Sequence, residues 1–301
     1  MIKIKNLSKS YGDIKAVDDI SFNVKEGELF ALLGVNGAGK STTINIMCGQ
    51  LSKNEGYITI DNLNLDKNEE EIKSRLGVVF QNSLLDRALS VKDNLKSRAA
   101  LYGLYGNEFE TRLDELAKLL DFEDLLKRSV AKLSGGPRRR IDIARALIHK
   151  PKVLILDEPT TGLDPQTRKL LWNVVEDLRK NENMTVLLTT HYMEEAADAD
   201  YVVILDSGKI VAEGTPLQLK NEYSGDFITV YGAGENDAQK LGVECECIKN
   251  GIRFMVSDTA FATRLIVANP EIFTDYEIVK GKMDDVFLAV TGKKLTGGND
   301  K

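Results

Sequence analysis

Residues 34–41 read GVNGAGKS, a run that fits G-x-x-x-x-G-K-[ST] and severely narrows what can surround it. It follows the apolar segment ELFALLG (28–34) and precedes the helix-like TTINIMCG, so the motif sits in the strand–loop–helix context that it needs. Its glycines let the backbone wrap tightly and aim successive N–H groups into one concavity. A polyphosphate fits such a concavity. Lys40 would be the point charge for its β- and γ-phosphates, and the Ser41 hydroxyl an oxygen ligand for a divalent cation.

The runs that accompany ELFALLG are of the same kind. LGVVFQ (76–81), KVLILDE (152–158) and MTVLLTTH (184–191) are continuously apolar, as parallel strands buried on both faces are. IKIKNLSKSYG, ISFNVKEG and GYITIDN alternate instead and predict an antiparallel sheet. YVVILDSGKIVAEG (201–214) predicts a hairpin around Asp206-Ser207-Gly208. From about residue 84 to 150 the pattern is helical. Ser90 and Asp93 form a capping pair, and Phe109, Leu113, Leu116 and Leu120 make a core-facing stripe. After Pro216 short strands (DFITVYG, VECECI, IRFMVS, EIVKG) mix with helices near 259–268 and 283–290. This predicts an α/β domain over 1–216 and a small α+β domain over 217–301, with GGNDK as a disordered tail.

KVLILDE supplies the second half of a phosphate site. Asp157 ends a buried strand where it can hold a metal, Glu158 follows, and Pro159 stops the strand. LSGGPRRR (133–140) is harder to explain. Three arginines open a helix-like run, IDIARALI, at the positive end of the helix dipole, where cations are repelled. Such a start asks for a negative partner.

Composition limits the classes. The chain has 301 residues, a formal net charge of -6 and 43% apolar residues, which argues against broad nucleic-acid binding. Cys48, Cys245 and Cys247 are its three cysteines. They make a disulfide framework unexpected, and Cys245-x-Cys247 lacks the further ligands of a zinc site. MIKIKNLSKS is no signal peptide, and no run nears about 18 continuous apolar residues. Any membrane role is therefore expected to come through a partner chain.

Together these pieces resemble the ATPase domain of ABC transporters over residues 1 to about 216. Tyr11, GVNGAGKS, Gln81, LSGGP, LILDE, Gly162-Leu163-Asp164 and His191 occur in the family's order. The resemblance implies a P-loop NTPase core of ABC ATPase type, with a mixed sheet, an antiparallel β subdomain and a helical subdomain at about 84–150. It implies ATP on Tyr11, Val17, Gly34, Val35, Asn36, Gly37, Ala38, Gly39, Lys40, Ser41 and Thr42, with Tyr11 stacking on adenine and Val17 near the base. Mg²⁺ is implied on Ser41, Gln81 and Asp157. Glu158 is implied as the carboxylate that positions water, with Gln81 as the switch residue and His191 as the γ-phosphate sensor. His149 reads as a surface residue.

In this family two ATPase domains pair head to tail. That arrangement implies that Ser134, Gly135 and Gly136 meet the γ-phosphate of the partner's ATP, with Asp164 at the interface. The negative partner sought at LSGGPRRR would be that phosphate. Position 137 departs from the family's glutamine: Pro137 gives up a ribose contact but keeps the phosphate-facing N–H groups before it. Some of the arginines would balance nucleotide charge at that interface, and a solvated helix face explains at least two of the three equally well.

KMDDVFLAVTGKKL (282–295) resembles the end of ATPases from drug- and antibiotic-export systems, which implies export driven through a separate integral membrane permease. The protein is then expected in the cytoplasm, peripheral on the inner face of the cell membrane, as a homodimer or beside a second ATPase subunit, without nucleic acid. The alternative is a soluble ABC ATPase acting on nucleic acid or ribosomes. Translation-associated members carry two ATPase domains in one chain, and here there is one phosphate loop and one signature. A small-molecule phosphotransferase would leave LSGGP and His191 without a role.

Overall fold

In the computed structural model the described residues are 1–293, without the side chain of Glu235; the GGNDK tail lies outside them. The chain forms two compact units, Met1–His191 with Leu205–Ile210, and Tyr192–Ile204 with Val211 onward. The division runs through the strand at 201–206.

In the first unit, β1 (Ile2–Tyr11), β2 (Ile14–Val24), β4 (Glu55–Ile60) and the two-residue β5 (Leu63–Asn64) form the expected antiparallel sheet, in the order β2-β1-β4-β5. Its alternation buries Ile2, Ile4, Ile20, Phe22, Ile58 and Ile60 on one face. The parallel strands are β3 (Leu29–Leu33), β6 (Leu76–Val79), β7 (Val153–Asp157) and β8 (Thr185–Thr190). β3 pairs with β8, β8 with β7 and β7 with β6. Every residue of β3, β7 and β8 is buried, as continuous apolar runs require. Phe22 stacks on Phe30 at 5.1 Å, joining the two sheets.

Helix α1 (Lys40–Met47) follows β3 directly, α2 (Glu69–Arg75) precedes β6, and α6 (Pro165–Glu182) lies between β7 and β8. The helical stretch comprises α3 (Val91–Ala100), α4 (Gly106–Leu119) and α5 (Gly135–Leu147). Ser90 caps α3 by accepting from the Asp93 N–H, and Phe109, Leu113, Leu116 and Leu120 are buried.

The second unit holds α7 (Met193–Ala197), α8 (Pro216–Tyr223), α9 (Glu235–Leu241), α10 (Thr259–Ala268) and α11 (Met283–Thr291). Strands β9 (Tyr201–Asp206) and β10 (Lys209–Gly214), each divided between the two units, flank the Ser207–Gly208 turn of the first unit, where both residues have positive φ. An antiparallel sheet of β11 (Asp226–Tyr231), β12 (Cys245–Ile248), β13 (Gly251–Val256) and β14 (Tyr276–Lys280) runs in the order β12-β13-β11-β14. Ile228, Val230, Ile252, Phe254 and Phe273 form its core. Met283, Val286 and Phe287 are buried where α11 packs on α8 and α7. Cys245 and Cys247 are exposed on β12.

His149 is not the surface residue expected. Its ring stacks on Tyr102 with centroids 3.8 Å apart, and Nε2 lies 3.0 Å from the Leu76 carbonyl. Burial first, then the nearby Arg98 charge, lowers its pKa from the ordinary 6.5 to about 4. A histidine held neutral in the fold takes up a proton only on unfolding within that window, so stability falls as pH drops from 6.5 toward 4. The loss is up to about 1.4 kcal/mol per pH unit. Chemical denaturation across that range should show this slope in the parent protein and a shallower one in His149→Gln.

Candidate ATP site

The parallel register brings the site together. Leu33 pairs with Thr190 and Asp157 with Thr189, so the loop after β3, the carboxylates ending β7 and His191 after β8 emerge at one edge. The phosphate loop fits only as glycine at its tightest points. A Cβ on Gly34 would stand 2.6 Å from the Leu205 carbonyl oxygen. Gly39 has φ +108° and lies against the Ala16 carbonyl. Gly39 is also the N-cap of α1, so the helix opens at Lys40 with its first N–H groups aimed into the loop.

A cleft of about 340 Å³ is lined by Ala16, the loop from Asn36 to Thr42, Gln81 and Glu158. The Lys40 ammonium donates to the carbonyls of Gly34 at 2.7 Å and Val35 at 3.3 Å, and stands 3.7 Å from Glu158 Oε1. Gln81 Nε2 donates to Glu158 Oε2 at 3.1 Å, and His191 Nδ1 is 3.4 Å from the same oxygen. Glu158 is thus 8% exposed and ringed by Lys40, Gln81 and His191. Its backbone has φ +46°, a strained conformation for a glutamate. The Glu158 N–H donates to the Thr189 carbonyl at 3.0 Å and is 3.2 Å from the Thr189 hydroxyl.

Thr189 was not legible as a site residue. Besides receiving Glu158, its hydroxyl donates to Asp157 Oδ1 at 2.5 Å, so one side chain positions both carboxylates. In the sequence it is simply part of a strand run. Burial first, then repulsion by Glu158, raises the pKa of Asp157, opposed by the Thr189 hydrogen bond and Lys40. Burial also lowers that of Lys40, opposed by Glu158 and Asp157. The hydroxyl of Ser41, the amide oxygen of Gln81 and the Asp157 carboxylate are hard oxygen donors of the kind magnesium takes. A cation would offset the charge that burial disfavours on Asp157.

Two expected adenine contacts sit apart from the cleft lining. Tyr11 is 51% exposed, with the Lys9 ammonium 5.5 Å from its ring centroid. That leaves an accessible aromatic face. Val17 is 1% exposed and packs behind the loop at Gly39; strand alternation turns it inward, and Ala16 lines the cleft instead.

The signature segment opens α5. Ser134 is the N-cap, and the first helical bond runs from the Arg138 N–H to the Ser134 carbonyl. Pro137 is therefore the third helical residue, one whose N–H the helix does not use. An N-cap serine ordinarily accepts from the second or third N–H. The third is missing here, and the Ser134 side chain makes no capping bond. The exposed hydroxyl is thereby left available to an incoming anion. Asp164 has a local task besides any interface role. It caps α6, accepting from Thr167 N–H at 2.9 Å and from its hydroxyl at 2.7 Å. Gly136 packs against this cap, and an added Cβ would meet the Thr167 hydroxyl at 2.6 Å.

The three arginines part ways. Arg138 donates to the Leu133 carbonyl, and Arg140 reaches the Asp121 carboxylate at 2.8 Å near the end of α4. Arg139 turns inward and is 7% exposed, so the solvated-face reading does not hold for it.

The family model described as "ABC transporter" matches residues 17–161. The chain is 38% identical to "Nod factor export ATP-binding protein I" of Sinorhizobium fredii, over 98% of this chain and 87% of that protein. It is 36% identical to "Daunorubicin resistance ATP-binding protein DrrA3" of Streptomyces coeruleorubidus, over 97% of this chain and 96% of the relative. Its structure is similar to the dimeric post-hydrolysis structure of the ATP-binding cassette MJ0796 bound to ADP and Pi. The TM-score is 0.67 at 29% identity, over 72% of this chain and 99% of the cassette.

Since Gly135 and Gly136 keep their N–H groups whatever follows them, Pro137→Gln is expected to change ATP turnover by less than about tenfold, equivalent to about 1.4 kcal/mol. Steady-state ATPase assays of the two proteins check this.

Proposed function

This chain belongs to the ABC transporter family as an ATP-binding, ATP-hydrolysing subunit, and from that premise we propose that it drives an exporter whose membrane-spanning permease is a separate chain. The observation that carries the export reading is the extent of the match. The cassette neighbour covers 72% of this chain, whereas relatives named for Nod factor export and daunorubicin resistance match it over 98% and 97%. The likeness to them thus takes in the C-terminal sheet and the KMDDVFLAVTG segment. Among the described residues no helix is long and apolar enough to cross a membrane, which supports a separate permease. We place the ATPase domain at 1–216, the accessory domain at 217–301, and the protein on the cytoplasmic face of the membrane.

Within the cleft, the residues divide the work by position and charge. The loop N–H groups and Lys40 would cradle the β- and γ-phosphates, and the exposed Tyr11 ring would stack on the base. When bound, Mg²⁺ would neutralise developing phosphate charge, held by Ser41, Gln81 and Asp157. Glu158, fixed from behind by Thr189, would orient the attacking water and accept its proton, with Gln81 beside it. His191 would sense the γ-phosphate. Two such subunits, as a homodimer or a paired set, would close head to tail so that Ser134, Gly135 and Gly136 of one meet the ATP of the other. Opening after hydrolysis would move the permease.

Glu158→Gln should lower turnover by about a hundredfold or more, the scale of losing one transition-state contact, while ATP binding persists. The variant should elute as a dimer in gel filtration at millimolar ATP. Retained turnover would sink the role given to Glu158, and a monomer both in gel filtration and beside its permease would sink the trans site. The export reading is tested by co-purification: the chain should come down with a polytopic membrane protein, and transported drug- or lipid-like compounds should stimulate ATPase. Association with ribosomes instead would favour the soluble alternative.

A further inference from the structure

Arg139 is a buried cation that takes its hydrogen bonds from main chain rather than from a carboxylate. Nε donates to the Pro159 carbonyl at 2.8 Å, one terminal nitrogen to the Phe80 carbonyl at 2.5 Å, and the other to those of Glu158 at 3.3 Å and Asp157 at 3.4 Å. Those carbonyls belong to the turns ending β6 and β7. Phe80 directly precedes Gln81, while Asp157, Glu158 and Pro159 are the carboxylate turn itself. A planar guanidinium presents its donors in a fixed fork, so it can bind both turns at once and hold their separation.

That separation sets the distance between the Gln81 amide and the Glu158 carboxylate, 3.1 Å. It also matters that Glu158 holds φ +46°, a conformation that persists only where its surroundings over-determine it. Thr189 grips the Glu158 N–H from one side, and Arg139 grips the Glu158 carbonyl from the other. Arg139 itself rides on α5, five residues after Ser134.

We propose that Arg139 is a positioning residue for hydrolysis: its guanidinium clamps the turns bearing Gln81 and Glu158 and fastens them to the helix whose first residues face the partner subunit's ATP. The signature segment and the water-orienting carboxylate of one chain are thereby mechanically joined, so a partner nucleotide seated on α5 acts on the geometry of this chain's own site. The proposal rests on the role given above to Glu158.

The test compares Arg139→Lys and Arg139→Gln in the full chain with the parent and with Arg140→Gln, whose arginine lies on the same helix and reaches Asp121 instead. Fluorescent ATP-analogue binding, thermal midpoint, and kcat and KM per nucleotide-binding site are measured. Lysine keeps the charge but cannot fork. Both Arg139 variants are therefore expected to bind nucleotide like the parent and to lose about ten- to a hundredfold in kcat, the cost of a misplaced catalytic group. Arg140→Gln should keep its kcat. Parent-like kcat in Arg139→Lys overturns the proposal, and so does a loss of turnover that only tracks lost binding sites in both variants, which would make Arg139 a folding residue. Glu158→Gln run alongside separates the premises. If it keeps turnover, the role of Glu158 fails first; if it stops turnover while Arg139→Lys does not, the clamp alone fails.

Discussion

Asp157 lies beside Thr189 across two parallel strands, and the chemistry of this chain is arranged around that register. A parallel sheet sends successive strand ends to the same edge, so loops far apart in sequence converge there. Lys40, Gln81, Glu158 and His191 meet because β3, β6, β7 and β8 stop together. Slipping one strand by a residue would turn its buried side chains over and aim these groups elsewhere. The apolar content of β3, β7 and β8, buried throughout, therefore sets the site's alignment as well as the fold's stability.

Charge inside the cleft is mutual. Lys40 and Asp157 each pay for burial; Lys40 is supported by Glu158 and Asp157, while Asp157 is supported by Thr189 and Lys40 against repulsion from Glu158. A phosphate with its cation would enter a site whose fixed charges already face one another, which is the sense of a preorganised electrostatic environment. Such a site gains from exclusion of water, which the closure proposed for a second subunit would supply.

Much of this was legible because the informative residues are those whose type is dictated by local chemistry. GVNGAGKS needs its glycines and its lysine wherever it occurs, and alternating or continuous apolar runs declare how many faces a strand buries. Ser90 announces a helix start by its capping chemistry, whereas the sequence marks Asp164 for an interface role and only the fold shows that it also caps α6. What stayed hidden depends on direction in three dimensions. Arg139 and Arg140 are adjacent and identical in type, yet one is enclosed by carbonyls and the other reaches an exposed aspartate. Val17 faces inward by strand alternation where Ala16 faces the cleft. Thr189 and His149 owe their tasks to residues 31 or more positions away. Helices α8 and α9, with few apolar residues between them, carry no periodic signal, although Thr215 and Gln218 form a capping box at the start of α8.

The start of α5 differs from those of α3, α6 and α8. Ser90, Asp164 and Thr215 each hold a backbone N–H of the helix they open, while Ser134 holds none and is followed by two glycines and a proline. An N-cap bond is worth about 1 kcal/mol, so this helix begins with a deficit that a ligand from outside the chain can make good. If a second subunit's anion docks at residues 134–138, its binding and the stability of the helix start would be thermodynamically linked: docking would stabilise that first turn, and whatever destabilises the turn would weaken docking by the same free energy.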